Sequence, residues 1–457
     1  MGDLVKETSQ LQLSSIPFGK PMLKEFLIDP AYHNMNHGSF GTIPRHIQTV
    51  LRSYQDKAEA RPDPFIRWEY HTYLKESRQA VADLINAPVD CTVFVPNATV
   101  GINTVLRNLI WAPDGLDEIL YFSTVYGGCA KTIDYIVDTR LSLVSSRSIP
   151  LAYPLEDDEI VALFRDAVAQ SHAEGKRPKI CLFDVVSSLP GIRFPFEAVT
   201  AACRELGILS LVDGAQGVGM VPLNIAAVDP DFFVSNAHKW LLAPRACCVF
   251  YVPERNHHLV PSTIPTSHSY VPRTGVQRHN PLPPSGEPPF VTRFGFVATL
   301  DNSPSLCVKH SIEWRKSIGG EDKIMEYLWT LAKNGGKKVA AILGTFILDN
   351  KSETLTRCAM VNVALPIVMG ADAETLSVGP DGTITVPEKE ASLIVNWMLS
   401  ALVNEYQTFV ALFWHQGRWY SRISAQIYLD ETDFEWVGNT IKELCQRVAK
   451  QEYKVKV

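Results

Sequence analysis

A chain of 457 residues is long enough for two or three packed domains. With 20% charged residues, 46% hydrophobic residues and a formal net charge of −6, it has no global positive field to attract nucleic acid or an anionic membrane, which leaves small ligands and protein partners. Nine cysteines, without a CxxC pair or a regular metal-ligand spacing, predict reduced core thiols of an intracellular protein and no bound metal.

In chain order, residues 1–20 carry little pattern and read as a mobile arm. Lys6 in "MGDLVK" stands where a myristoylation signal has Ser or Thr, and the terminal "KVKV" is neither a prenylation nor a peroxisomal signal. No apolar run reaches the roughly 18 residues of a membrane span, so a cytoplasmic address is expected. Between about 46 and 88 apolar positions recur at helical spacing, broken at "RPDPF", where Pro62 and Pro64 end one helix and set the next.

From about 91 to 250, β-branched and aromatic runs alternate with helical stretches. "TVFV" precedes "NATVGINTVLRNLI", and "EILYF" precedes "STVYGGCAKTIDYIV". "KICLFDVV" and "ILSLVDG" each follow a helical run, "IVALFRDAVAQSHAEG" and "FEAVTAACRELG". This rhythm predicts an α/β fold with a mostly parallel sheet and helices on both faces. The segment 254–290, with "NPLPPSGEPP", reads as a long ordered loop or flap. After 305 come "CVKHSIEWRKSI", "KIMEYLWTLAKNGGKKVAAIL" and "EKEASLIVNWMLSALVNEY" as helices, with "RCAMVNVALPIV" and "YSRISAQIYL" as strands. These predict a smaller α+β domain, joined by the N-terminal segment. The expected divisions are residues 1–45 as arm and substrate-side loop, 46–304 as large domain and 305–457 as small domain.

In such sheets ligands gather beyond the carboxyl ends of the strands. Asn97, Thr99, Tyr126, Ser187, Asp213 and Lys239 fall there. Asp213, in "LVDGAQ", is either a helix N-cap or a carboxylate aimed at a cationic ring nitrogen. Lys239, in "DFFVSNAHKWLLAPR", is a surface residue or an amine kept for covalent carbonyl chemistry; its apolar neighbours Phe232, Phe233, Trp240, Leu241 and Leu242 argue against free solvation. Taken together, the two residues meet the needs of pyridoxal phosphate (PLP), which takes an amine for its aldehyde, an acid for its pyridine nitrogen and a helix N-terminus for its phosphate. "NATVGINTVL" offers such a terminus, with the helix beginning near Gly101; an ordinary cap is the other reading.

"NMNHGSFGTIP", "NATVGINTVLR", "LVDGAQGVGM", "SNAHKWLLAPR" and "FVATLDNSP" together resemble the class V branch of fold-type I PLP-dependent enzymes, across about residues 20–445. Within that branch "HGSFGTIP", "YQDKAEARPDPF", "NTVLRN", "ILYFSTVYG" and "TRCAMVNVALP" are similar to the fungal C–S lyases of ergothioneine biosynthesis, which cleave hercynylcysteine sulfoxide. Fungal alkaloid cyclases that use PLP for γ-substitution, and isopenicillin N epimerase-like enzymes, are similar as well.

The resemblance implies that Lys239 carries PLP with His238 beside it, that Asp213 pairs with the pyridine nitrogen, and that Gln216 bonds the phenolic oxygen. It implies that Ala98 and Thr99 hold the phosphate with Asn236 or Ser235, and that Thr299 reaches the phosphate of a second subunit, making a homodimer with shared active sites. Tyr126 would stack on the ring and serve as an acid–base group at the leaving sulfur. Arg422 would grip the substrate carboxylate, with Asn36, His37 and Gly38 closing over it. For His238 and Tyr126 a plain packing role is the alternative, and Arg418 is either a neighbour of the site or a surface charge. Phe65, Trp68, Tyr70 and Trp414 are candidates for a wall against a cationic substrate.

Two departures bear on the reaction. The interval 359–388 has no cysteine to take up sulfur, Cys358 lies in an apolar strand, and Ser187 or Ser188 replaces the asparagine that desulfurases carry after the "LFDVV" strand. The missing cysteine counts against persulfide transfer and leaves β-elimination, with pyruvate and ammonia as co-products, as the expected reaction; the serine leaves the hydrogen bond to the ring oxygen to Gln216.

Overall fold

In the computed structural model, which describes residues 16–276, 278–370 and 373–454, the first seven strands form one sheet. They are β1 (Thr92–Val95), β2 (Asp117–Phe122), β3 (Val144–Ile149), β4 (Arg177–Asp184), β5 (Leu209–Asp213), β6 (Phe232–Asn236) and β7 (Cys248–Tyr251). The spatial order is β1-β7-β6-β5-β4-β2-β3, with β7 antiparallel to both neighbours and the other pairings parallel. Helices cover both faces, so β5 and β6 are buried almost throughout rather than alternating between buried and exposed positions. The α/β expectation and five of these strands follow from the sequence runs. β3 escaped because it is a half-exposed edge strand built as "VSSRSI", which shows no apolar run to read.

The "RPDPF" break is where helix Arg45–Ala60 stops; Pro62–Pro64 opens a new helical run that passes through a π turn at Phe65–Glu69 into Tyr70–Leu84. The helix expected near Gly101 begins earlier, at Ala98, because Asn97 caps it by accepting from Val100 N at 3.0 Å. Gly101 matters for a different reason. A Cβ there would lie 2.5 Å from Val234 Cγ1, so glycine lets the helix start sit directly on β6.

A second sheet has the order β11-β12-β8-β10-β9, from β8 (Met360–Gly370), β9 (Ser377–Val378), β10 (Ile384–Pro387), β11 (Ala411–His415) and β12 (Arg418–Ser424). Helices Gly320–Leu343 and Glu431–Ala449 pack against it. The N-terminal segment lies along this part of the fold: Gly19 N donates to Ile427 O at 2.7 Å, His33 N to Gln407 O at 3.0 Å, and Ser424 N to Met35 O at 2.9 Å. Of the arm expected over 1–20, residues 1–15 lie outside the described residues, as does most of the terminal "KVKV". After a short turn at Glu254–Leu259 the chain forms no regular element until Pro289–Gly295, apart from residue 277, which is not described. Arg67 Nη1, in the π turn, donates to Pro281 O at 2.6 Å, and the Lys75–Glu287 and Arg78–Glu287 ion pairs tie the loop to helix Tyr70–Leu84. Among the described residues no helix is long and apolar enough to cross a membrane.

Candidate active site

Lys239 leaves the end of β6, and β5 ends next to it on Asp213. Burial, followed by the nearby Arg422 charge, lowers the Lys239 pKa to about 8, while Asp213 and Asp184 act in the opposite sense. The Lys239 amine forms no hydrogen bond within the described residues, so it is held in the interior without a committed partner. Its backbone is fixed instead. His37 Nε2 donates to Lys239 O at 2.8 Å, and Tyr428 donates its hydroxyl proton to His37 Nδ1 at 3.0 Å. Burial lowers the His37 pKa to about 4, which keeps the ring neutral, and the Lys239 carbonyl, able only to accept, sets the proton on Nε2. Arg315, from helix Val308–Ser317, donates to Trp240 O at 2.7 Å and to Gly219 O at 3.0 Å, bracing the next residue.

Asp213 is 3% exposed. Its Oδ1 accepts from Ala215 N at 2.9 Å and its Oδ2 from the Cys129 thiol at 3.5 Å. Burial raises its pKa, with the Ala215 N–H, Lys239 and Cys129 opposing that rise. Gln216 is engaged at both ends, donating from Nε2 to Gly38 O and accepting from Trp240 Nε1, each at 2.7 Å. Its second amide hydrogen is the one left to meet a ring oxygen.

At the start of helix Ala98–Asn108 the expected phosphate site is narrower than the sequence suggested. Asn236 Oδ1 accepts the Ala98 N–H at 2.9 Å, which leaves Thr99, with its N–H and hydroxyl both unbonded to any described residue, as the open donor pair. Ser235 is occupied in the fold, donating to Gly214 O and accepting from Val218 N at 2.9 Å. The Ser187 hydroxyl donates to Pro190 O at 2.7 Å.

Arg422, on β12, is 2% exposed and has no carboxylate partner among the described residues. Nη1 donates to Ser188 O at 2.7 Å, while Nη2 donates to Asn36 Oδ1 at 2.8 Å and Ser39 Oγ at 2.9 Å; Nε is buried and unpartnered. Gly191 makes room for it, since a Cβ there would stand 2.7 Å from Arg422 Cδ. Burial lowers the Arg422 pKa to about 10. Of the predicted loop, Asn36 therefore orients Arg422, whereas the His37 and Gly38 polar groups are committed to Lys239, Tyr428, Ser424 and Gln216.

Tyr126 follows β2 and is 50% exposed, its hydroxyl bonded to none of the described residues. His238 turns elsewhere: its Nδ1 bonds Cys247 O at 3.3 Å, burial lowers its pKa to about 4, and it lines a cleft with Thr42, Gln48, Arg245 and Asp301. Thr299 is exposed, in a cleft lined by His268, Tyr270 and His279 that does not include Lys239. Of the proposed wall residues, Phe65 and Tyr70 are core residues, while Trp68 and Trp414 are exposed. Arg418 donates to Leu365 O and covers the Phe346 ring rather than facing the site. All nine cysteines are buried and unpaired, and burial raises the Cys358 pKa to about 11.

A buried uncommitted amine, a buried carboxylate held by an N–H and a thiol, an open helix N-terminus and an orphaned guanidinium Nε fit PLP together with an amino-acid substrate. The fold and these residues define a fold-type I PLP-dependent enzyme. The profile of the family "Aminotransferase class-V" matches residues 43–133 and 156–301, and the chain belongs to that family. It is 37% identical over 450 residues to an L-cysteine desulfhydrase-like protein of Epichloe uncinata, covering 96% of this chain and 98% of that protein. It is 32% identical over 431 residues to the hercynylcysteine sulfoxide lyase of Schizosaccharomyces pombe, covering 94% and 98% respectively. The fold is similar to that of the cystine C-S lyase C-DES in complex with cysteine persulfide, with a TM-score of 0.70 at 17% identity, covering 93% of this chain and 99% of that one.

Proposed function

We propose that this enzyme is a C–S lyase that acts on an S-substituted cysteine sulfoxide, with hercynylcysteine sulfoxide as substrate in ergothioneine biosynthesis. The observation that carries the reading is the half-exposed Tyr126 just beyond the carboxyl end of β2, its hydroxyl bonded to no described residue, together with nine buried cysteines. The site thus offers a proton donor for a departing sulfur group and no exposed thiol to receive a sulfur atom. The 32% identity to the Schizosaccharomyces pombe lyase supports the same substrate.

In the overall reaction the Cα proton is lost, the Cβ–S bond breaks with its electron pair leaving on sulfur, and the sulfur side departs as a sulfenic acid. One water converts the remaining three carbons to pyruvate and ammonia. PLP supplies the electron sink for the charge left at Cα. Lys239 Nζ takes the Cα proton, Asp213 keeps the ring nitrogen protonated, and Gln216 meets the phenolic oxygen. Thr99 and Asn236 serve the phosphate, and Arg422, oriented by Asn36 and Ser39, holds the substrate carboxylate through Nε. Tyr126 donates to the leaving sulfenate. Trp68 and Trp414 are the exposed aromatics left for a cationic substrate group.

Thr299 is assigned to the site of a second copy, so that the working unit is a homodimer. Its exposure away from Lys239, beside the 53%-exposed Leu300, supports this arrangement. A cytoplasmic address accords with nine unpaired thiols.

The test is pyruvate release from hercynylcysteine sulfoxide by the PLP-loaded protein, with Lys239→Ala as control. The 37% identity to a desulfhydrase-like protein favours L-cysteine as the second substrate to assay, with sulfide as readout. A substrate-shifted cofactor spectrum without pyruvate or sulfide would instead support a γ-substituting cyclase or an epimerase.

A further inference from the structure

Two neighbouring strands end on carboxyls. Asp184 and Asp213 are register partners at the ends of β4 and β5, so both side chains leave the sheet on one face and at one level. They are 7% and 3% exposed. Their surroundings differ. Asp213 receives the Ala215 N–H and the Cys129 thiol, donors that favour a negative charge. Asp184 receives no hydrogen bond from any described residue; burial and the neighbouring Asp213 charge push its pKa well up, opposed by Lys239.

Two carboxylates side by side in a low-dielectric interior do not both ionise near neutral pH, and the one with hydrogen-bond donors keeps the charge. We propose that Asp184 is a positioning residue of the cofactor site that stays un-ionised beside Asp213, so that the pair presents one negative charge to the one positive charge of a protonated pyridine ring.

The groups that face Asp184 are consistent with this assignment. They are Asp213 from β5, Lys239 from the turn after β6, Tyr153 from the segment after β3, and Cys129 from helix Gly127–Thr139. Lys239 is the one cation among them, and its amine is the group that PLP takes. A second ionised carboxyl would then be buried without a counter-ion. The sequence reading passed over Asp184 because "LFDVV" looks like any strand end; its meaning comes from the register with β5.

The inference rests on PLP at this site and is independent of which sulfur compound is the substrate. Infrared spectra of the PLP-loaded protein at neutral pH test it. The expected wild-type spectrum contains the C=O stretch of an un-ionised carboxyl that Asp184→Asn removes. In the kinetic comparison, kcat falls less than about tenfold in Asp184→Asn and more than about a hundredfold in Asp213→Asn, because only the second loses a charge. If Asp184→Asn does not fold, Asp184→Ser, also neutral, serves for both measurements. The proposal is overturned if no un-ionised carboxyl band disappears, or if the Asp184 variant loses as much kcat as Asp213→Asn, which would make Asp184 an ionised partner of the ring.

Discussion

Trp240 donates its indole N–H to Gln216 Oε1 at 2.7 Å, and through Gln216 it is joined to Gly38 O. Three distant segments, the substrate-side loop, the turn after β5 and the turn after β6, thus meet at one amide. Gln216→Leu leaves the buried Trp240 N–H and Gly38 carbonyl unbonded, at a cost of about 1–3 kcal/mol for each orphaned group. The expected outcome is a lower thermal midpoint together with a raised KM, read by calorimetry and pyruvate release. Gln216→Glu can still accept from Trp240 and should recover part of the stability.

The His37 pKa of about 4 makes stability depend on acid. The folded ring binds its proton less tightly than an unfolded histidine with a pKa of 6.5, so between these values the unfolded state holds more protons and stability rises with pH. Stability falls as pH drops from about 6.5 toward 4, with about 3 kcal/mol at stake for the His37 site. Urea unfolding across this range should show a steep acid limb, and His37→Gln should flatten it. His238, whose pKa is lowered to the same value by burial, keeps part of the slope in that variant.

How far the sequence reveals the site follows from how its residues were brought together. Lys239, Asp213, Thr99 and Tyr126 sit at strand ends, and a local βαβ rhythm is enough to place them. The bond from His37 to Lys239 O spans 202 residues, and the orphaned Nε of Arg422 depends on what the fold leaves unpaired. Arg315 was missed for the same reason: it reads as an ordinary helix arginine in "IEWRKS", yet it is fully buried and bonds two carbonyls behind the lysine. His238 was legible only as a neighbour of the lysine in the chain; that its Nδ1 lies 3.3 Å from Cys247 O, nine residues on, comes from the fold.

Arg422→Lys keeps the charge but not the planar fork. The ammonium cannot hold Asn36, Ser39 and Ser188 while also offering a donor in the Nε direction. Loss of one charge-assisted bond to a carboxylate costs about 1.5–3 kcal/mol, or roughly 10- to 150-fold in kcat/KM. KM should carry most of that loss, with the lysine-bound cofactor spectrum nearly unchanged; a kcat effect without a KM effect would remove Arg422 from the substrate carboxylate.

Tyr126 separates the stacking role from the acid role. The residue is 50% exposed and its hydroxyl bonds no described residue, so Tyr126→Phe removes the proton donor with little cost in stability. General-acid assistance contributes about 100- to 10,000-fold, and a loss toward the lower end is expected because sulfenate is already a good leaving group. The loss should shrink as the leaving group improves: Tyr126→Phe should impair a thioether more than its sulfoxide. Equal loss on both compounds would mean that Tyr126 acts through the cofactor ring and not at sulfur, whereas Tyr126→Ala, which loses the ring as well, should in addition weaken PLP retention on dialysis.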